Sequence, residues 1–131
     1  MTKILFICSG NVGRSQIAEA YYNYYSHSSD AFSAGTDPTT PSRYTHPTKE
    51  IIQVMIEEGI DVSNQVVKTL EEKMLEGINS IYIMCKKEQC PDYLVNSTKV
   101  NFWNIEDPYK MDVIGTKKIR DQIKIMVKKI I

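Results

Sequence analysis

The sequence carries no excess of either charge, only two histidines and three cysteines, and no long apolar run, and each shortage excludes something. Sixteen Lys and Arg offset sixteen Asp and Glu. The basic surplus that phosphate-backbone binding draws on is therefore missing, and nucleic acid is not an expected partner. No stretch approaches the roughly 20 apolar residues of a membrane span, so no membrane association is expected either. The start, Met1-Thr2-Lys3-Ile4-Leu5-Phe6-Ile7-Cys8, turns polar at Ser9-Gly10-Asn11, too soon for a secretory signal. A cytoplasmic, reducing location is the expectation. Only three cysteines are present, an odd number that cannot all pair within one chain, which disfavours a secreted disulfide framework. His27 and His46 sit in unrelated segments without ligand spacing, so neither a metal nor a cofactor is expected. What remains is a chain of 131 residues, 42% hydrophobic and 24% charged, read as one globular domain over residues 1–131 and as a monomer.

Apolar runs alternate with helical patterns. Ile4 to Ile7 reads as a buried strand, followed by a Gly-bearing loop and a helix from Arg14 or Ser15 to about Tyr25. A short strand through Phe32-Ser33-Ala34 comes next. A Pro-rich loop over residues 35–47 then leads to a second helix with Ile51, Ile52, Met55 and Ile56 on one stripe and Gly59 as its stop. Thr69-Leu70-Glu71-Glu72 has capping-box spacing and predicts a third helix ending at Gly77. Strands follow at Ile78 to Met84 and Lys99 to Trp103, and Gly115-Thr116 opens a last helix with Ile119, Ile123, Met126, Val127 and Ile130 facing inward. This alternation predicts an α/β fold, a three-layer sandwich with a central, mostly parallel four-stranded sheet flanked by helices. In such sheets ligands bind beyond the carboxyl ends of the strands. Three loops leave such ends: Cys8 to Ser15, Cys85 to Cys90, and Asn104 to Tyr109.

The first of these loops, Cys8-Ser9-Gly10-Asn11-Val12-Gly13-Arg14-Ser15, holds a cysteine at a strand end and an arginine six positions later, where a helix starts. Two glycines let the backbone bend so that its N–H groups point inward. Inward amides, a helix N-terminus and a guanidinium make a cradle for an oxyanion. The same positive field favours a thiolate, so Cys8 is read as a nucleophile, with Ser15 placed to hydrogen-bond its sulfur. The spacing alone is a weak signal, and a structural cysteine beside a surface arginine is the alternative. The strand before, the helix after and the glycines between favour the cradle.

The run Ile7 to Ala20 resembles the phosphate-binding loop and first helix of the low-molecular-weight protein tyrosine phosphatase superfamily, which includes thioredoxin-coupled arsenate reductases. Ser33-Ala34-Gly35 and Asp107-Pro108 match two further landmarks of that family. The resemblance implies that Ser9, Gly10, Asn11, Val12, Gly13, Arg14 and Ser15 bind the oxyanion. It also implies that Asp107 protonates the departing oxygen, with Glu106 and Asp112 as less favoured substitutes.

Cys85 stands at the end of an apolar strand, and Cys90 follows just before Pro91. A pair separated by four residues can form a disulfide if the loop rearranges. The arrangement, and Trp103 ahead of Asp107-Pro108, resembles the arsenate reductases. That likeness implies a sequence in which Cys8 attacks arsenate, Cys85 attacks Cys8, and Cys90 takes over the disulfide for a thioredoxin-like reductant. Three features depart from it. The loop between the two cysteines is two residues shorter than is usual in that branch, and Tyr109 is more like the phosphatases. Gly13 stands where phosphatases have a second loop cysteine. Arsenate reduction is therefore the first reading. Hydrolysis of phosphotyrosine through a Cys8 phosphocysteine is the second, and an inactive oxyanion- or partner-binding domain the third. Some arsenate reductases hold potassium on positions matching Asn11, Glu19 and Ser33 plus an aspartate. That last place is Lys68 here, so an ammonium is expected to replace the cation.

Overall fold

Strand alternation decides how this chain divides its apolar side chains. In β1 (Ile4–Cys8), Ile4, Phe6 and Cys8 point to one face of the sheet while Leu5 and Ile7 point to the other. All five residues are buried, as a central parallel strand covered on both faces must be. The computed structural model describes residues 2–131. β1 pairs in parallel with β2 (Ala31–Gly35) and β3 (Ser80–Ile83), and β3 pairs in parallel with β4 (Val100–Phe102), giving the order β2-β1-β3-β4.

One face is covered by α1 (Arg14–Ser26), α2 (Lys49–Ile56) and α4 (Val113–Lys128). Phe6, Ile17, Tyr21, Met55, Ile123 and Val127 pack there. The other face carries Leu5, Ile7, Ile81 and Ile83 against Leu70, Ile78 and Leu94, the last of these in the one-turn α3 (Asp92–Val95). The expected three-layer α/β sandwich is therefore present, with a thinner second layer.

Three expectations about its parts change. The predicted helix from Thr69 to Gly77 is an extended segment with a single 3₁₀ turn at Glu72–Leu75. Thr69 bridges to Gly35, and Leu70 N–H donates to the Gly35 carbonyl at 2.7 Å, so pairing with the end of β2 overrides the capping pattern. In α2 the inward stripe is Ile51, Val54 and Met55, while Ile56 is exposed at the last helical position. Finally, α4 starts at Val113, where Asp112 caps it by accepting the Gly115 N–H at 2.7 Å. Gly115 and Thr116 thus lie inside its first turn.

The chain leaves β1 toward β2 on one side and reaches β3 on the other, so β1 and β3 flank the switch point of the sheet. A crevice opens at such a point beyond the strand ends. Cys8 and Cys85 both stand at its edge.

Candidate active site

The loop after β1 is bent by Asn11, whose φ is 57°. Neither Gly10 nor Gly13 has a positive φ, which corrects the expectation that the glycines make the turn. Asn tolerates this left-handed conformation because its short amide can hydrogen-bond locally, and here it does so three ways. Asn11 Oδ1 accepts the Lys68 backbone N–H at 2.9 Å and Gln16 Nε2 at 3.1 Å. Asn11 Nδ2 donates to Ser15 Oγ at 2.7 Å.

These contacts fix a chain of donors. A backbone N–H can only donate, so the Lys68 amide settles which end of the Asn11 side chain is oxygen. The Asn11 amino group must then face Ser15 and fill a lone pair of its hydroxyl. With Cys8 as a thiolate, which can only accept, the Ser15 hydroxyl donates to Cys8 Sγ, 2.9 Å away. Asn11 N–H also points at that sulfur, at 3.2 Å. Two donors thus converge on Cys8, beside the first-turn N–H groups of α1, which have no intrahelical acceptor. Gln16 is fully buried and supports the arrangement by donating to the carbonyls of Asn11 and Val66. It was not singled out in the sequence, because nothing in helical periodicity marks a buried glutamine as a strut.

Gly35 matters for its missing side chain. A Cβ there would stand 2.7 Å from the Ser9 carbonyl oxygen and 2.9 Å from Gly10 C. The end of β2 therefore lies directly on the loop, and the Thr36 and Asp37 N–H groups bond to the Cys8 and Ser9 carbonyls.

Arg14 is 7% exposed and spans all three strand ends. Its Nη1 donates to the Met84 carbonyl and to the Ile105 carbonyl, the latter at 3.0 Å. Its Nη2 lies 3.3 Å from Ser9 Oγ and 3.5 Å from Asp107 Oδ2. Asp107 is half exposed, and its other oxygen accepts the Tyr109 N–H at 3.0 Å. Cys8, the loop from Ser9 to Arg14, and Asp107 line one cavity of about 160 Å³, roomy enough for a small tetrahedral anion. Ser15 stands behind it on the sulfur. Of the other acids considered, Asp112 is engaged as the α4 cap, and Glu106 lines the neighbouring cavity.

Comparison with known proteins places this loop, its arginine and the Asp-Pro turn within a family match that spans nearly the whole chain. The description "Low molecular weight phosphotyrosine protein phosphatase" matches residues 3–131. The chain belongs to that family. An arsenate reductase from Staphylococcus aureus strain Newman is 31% identical, over 97% of this chain and 95% of that protein. Among solved structures, a low molecular weight protein tyrosine phosphatase from T. tengcongensis is 26% identical with a TM-score of 0.83, covering 99% of this chain and 97% of that one. An arsenate reductase from Archaeoglobus fulgidus is 27% identical with a TM-score of 0.80, covering 98% of each chain. The low molecular weight phosphatase fold is thus common to relatives bearing both names, and the choice of chemistry rests on residues around the shared loop.

Two groups of residues bear on it. Cys85 is buried and lines a cavity of about 620 Å³ together with Ser9, Arg14 and Asp107. Its Sγ lies 3.8 Å from Cys90 Sγ. Burial pushes the Cys85 thiol up to about 12, with Cys90 and Cys8 adding to the rise and Arg14 opposing it. Burial also raises the Cys90 thiol. Cys8 and Cys85 belong to opposite faces of the sheet, so contact between them has to pass around the strand ends. On the other flank, Tyr44 and Tyr109 line the mouth of the Cys8 cavity with their hydroxyls 3.2 Å apart.

Lys68 lies where the sequence expectation placed a cation substitute. Its Nζ donates to the Val66 carbonyl at 2.6 Å and lies 3.9 Å from Glu19 Oε1, which also accepts the Ser33 hydroxyl at 2.6 Å. Burial raises the Glu19 carboxyl and lowers the Lys68 ammonium, while their mutual attraction opposes both shifts. Asn11 Oδ1 and Glu19 Oε1 are thus already engaged by protein donors. Among the described residues, no three His, Cys, Asp or Glu side chains cluster as metal ligands, and no helix is long and apolar enough to cross a membrane.

Proposed function

We propose that this chain reduces arsenate to arsenite through Cys8, Cys85 and Cys90. The observation that carries the reading is the Cys85–Cys90 pair, two thiols 3.8 Å apart at the strand end beside the oxyanion loop. The Cys8 sulfur attacks arsenate held by the loop amides and Arg14. Asp107 protonates the departing oxygen, leaving a sulfur–arsenic bond and water. Cys85, having lost its proton, then attacks the Cys8 sulfur. The electron pair of the sulfur–arsenic bond passes to arsenic, arsenite leaves, and a Cys8–Cys85 disulfide remains. Cys90 as thiolate attacks Cys85, freeing the Cys8 thiolate and closing a Cys85–Cys90 disulfide. A dithiol reductant of the thioredoxin kind supplies the two electrons that reopen it. Such a relay suits a monomeric enzyme of the reducing cytoplasm.

A second reading is hydrolysis of phosphotyrosine through phosphocysteine. Tyr44 and Tyr109 favour it, because two aromatic rings at the cavity mouth suit an aryl leaving group. Two activities measured side by side separate the readings. One is arsenate-dependent NADPH consumption with thioredoxin and its reductase, and the other is hydrolysis of para-nitrophenyl phosphate, each for the wild type and for Cys85→Ser. The relay requires Cys85→Ser to lose arsenate turnover while any hydrolysis persists. Retention of every activity in Cys85→Ser overturns it.

A further inference from the structure

Among the described residues, one enclosed side-chain polar atom has no hydrogen-bond partner: the hydroxyl of Thr40. Thr40 is 3% exposed and lies on the first residue of the 3₁₀ turn Thr40–Ser42, between β2 and α2. Its backbone is satisfied, donating to Asp37 and accepting from Arg43 and Tyr44. The hydroxyl alone is left over. Buried polar groups are paired in the great majority of proteins, so an orphan at this depth calls for an explanation.

The place of Thr40 supplies one. It lines the same 160 Å³ cavity as Cys8, the loop and Asp107. The Cβ position of Gly10 is 3.8 Å from both Thr40 Oγ1 and Thr40 Cγ2. Hydroxyl and methyl therefore both lie against the loop, and a χ1 step exchanges them without moving the backbone. The segment is anchored to the loop by Asp37 N–H on the Ser9 carbonyl, which holds the side chain at that distance.

We propose that Thr40 is a further substrate-binding residue, whose hydroxyl donates to a tetrahedral oxyanion seated in the loop. The inference rests on the oxyanion reading of Cys8 and Arg14, but it is independent of the choice between arsenate and phosphotyrosine. Loop amides and Arg14 hold the anion, and Thr40, packed beside Gly10 and lining the same cavity, adds a donor from a segment outside the loop. The hydroxyl has no protein partner, and an anion seated in the loop supplies one. A buried donor that no protein group satisfies gains more from a partner than one already hydrogen-bonded, so its contribution to affinity is expected to be large.

This predicts an unusual pairing of effects. Thr40→Val keeps the shape and removes the hydroxyl, so in phosphate-free buffer its melting temperature should equal or exceed that of the wild type. Its affinity for inorganic phosphate, read by calorimetry and by the phosphate-induced rise in melting temperature, should fall about tenfold. Thr40→Ser should restore most of that affinity. The rate of Cys8 alkylation in phosphate-free buffer should be the same in all three proteins, because Thr40 acts on the anion and not on the sulfur. Unchanged phosphate affinity in Thr40→Val overturns the proposal, as does a lower melting temperature in phosphate-free buffer, which would show that the hydroxyl serves the fold. Failure of the wild type to bind phosphate would overturn the oxyanion reading itself and this inference with it.

Discussion

Replacing Gly35 by alanine should damage the oxyanion loop from outside it. Gly35 has no left-handed backbone to defend, so the substitution acts through contact alone. The added Cβ would meet the Ser9 carbonyl oxygen at 2.7 Å, Gly10 C at 2.9 Å and Asn11 N at 3.0 Å, whereas ordinary contact begins at 3.4 Å. All three are backbone atoms of the loop, so no side chain can swing aside, and the loop must retreat by several tenths of an ångström. Overpacking of this kind costs about 1–3 kcal/mol, which for a domain of this size lowers the melting temperature by roughly 4–12 °C. Displacing reacting groups by about 1 Å can cost roughly a hundredfold in rate, so a shift of about half that should cost roughly tenfold. The assays are a thermal melt and turnover of both arsenate and para-nitrophenyl phosphate. Both proposed reactions would use the same cradle, so whichever rates are measurable should fall in parallel. A Gly35→Ala protein with wild-type melting temperature and wild-type rates would refute the claim that the end of β2 positions the loop.

Two further expectations follow from the charged and titratable groups around the site. The Cys85 thiol, raised to about 12 mainly by burial, is neutral throughout the physiological range. Its thiolate fraction, and hence its rate of alkylation by iodoacetamide followed by peptide mass spectrometry, should climb about tenfold per pH unit from pH 7 to 9; a plateau near pH 8 would contradict the burial argument. For Lys68, the wild type should melt at the same temperature in sodium and potassium chloride, whereas Lys68→Asp, which removes the ammonium beside Glu19, should become selectively stabilised by potassium. A potassium-dependent wild type would show that the lysine does not replace a cation.

Much of this was legible in the sequence because it rests on local pattern. Strand, loop and helix succeed one another so closely between Ile4 and Tyr25 that the placement of Cys8 and Arg14 follows from chain direction alone. The parallel sheet follows from the same alternation. What escaped depends on contacts between distant segments. The capping-box spacing at Thr69 is real, yet pairing with Gly35 outweighs it, and no local signal reports a strand partner more than thirty residues away. Thr40 was invisible for another reason. A threonine between Pro38 and Pro41 reads as an exposed loop residue, whereas in the structure it is buried with its side chain against Gly10. Asn11 was read as an oxyanion-loop residue, while the role of its side chain in aiming the Ser15 proton emerges only when the Lys68 amide is seen to face it.

The attachment of Arg14 to the Met84 carbonyl also bears on timing. Met84 is the residue before Cys85, so any displacement that carries Cys85 around the strand end tugs on the carbonyl holding the guanidinium. In the proposed relay, the residue that would hold the anion and the segment that would deliver the second thiol are thereby joined by one hydrogen bond. If the proposed relay operates, a movement of Cys85 toward Cys8 would disturb the Arg14 contact to Met84 while leaving its contact to the Ile105 carbonyl. A catalytic cycle on this scaffold would therefore couple the advance of its disulfide to the hold on the anion.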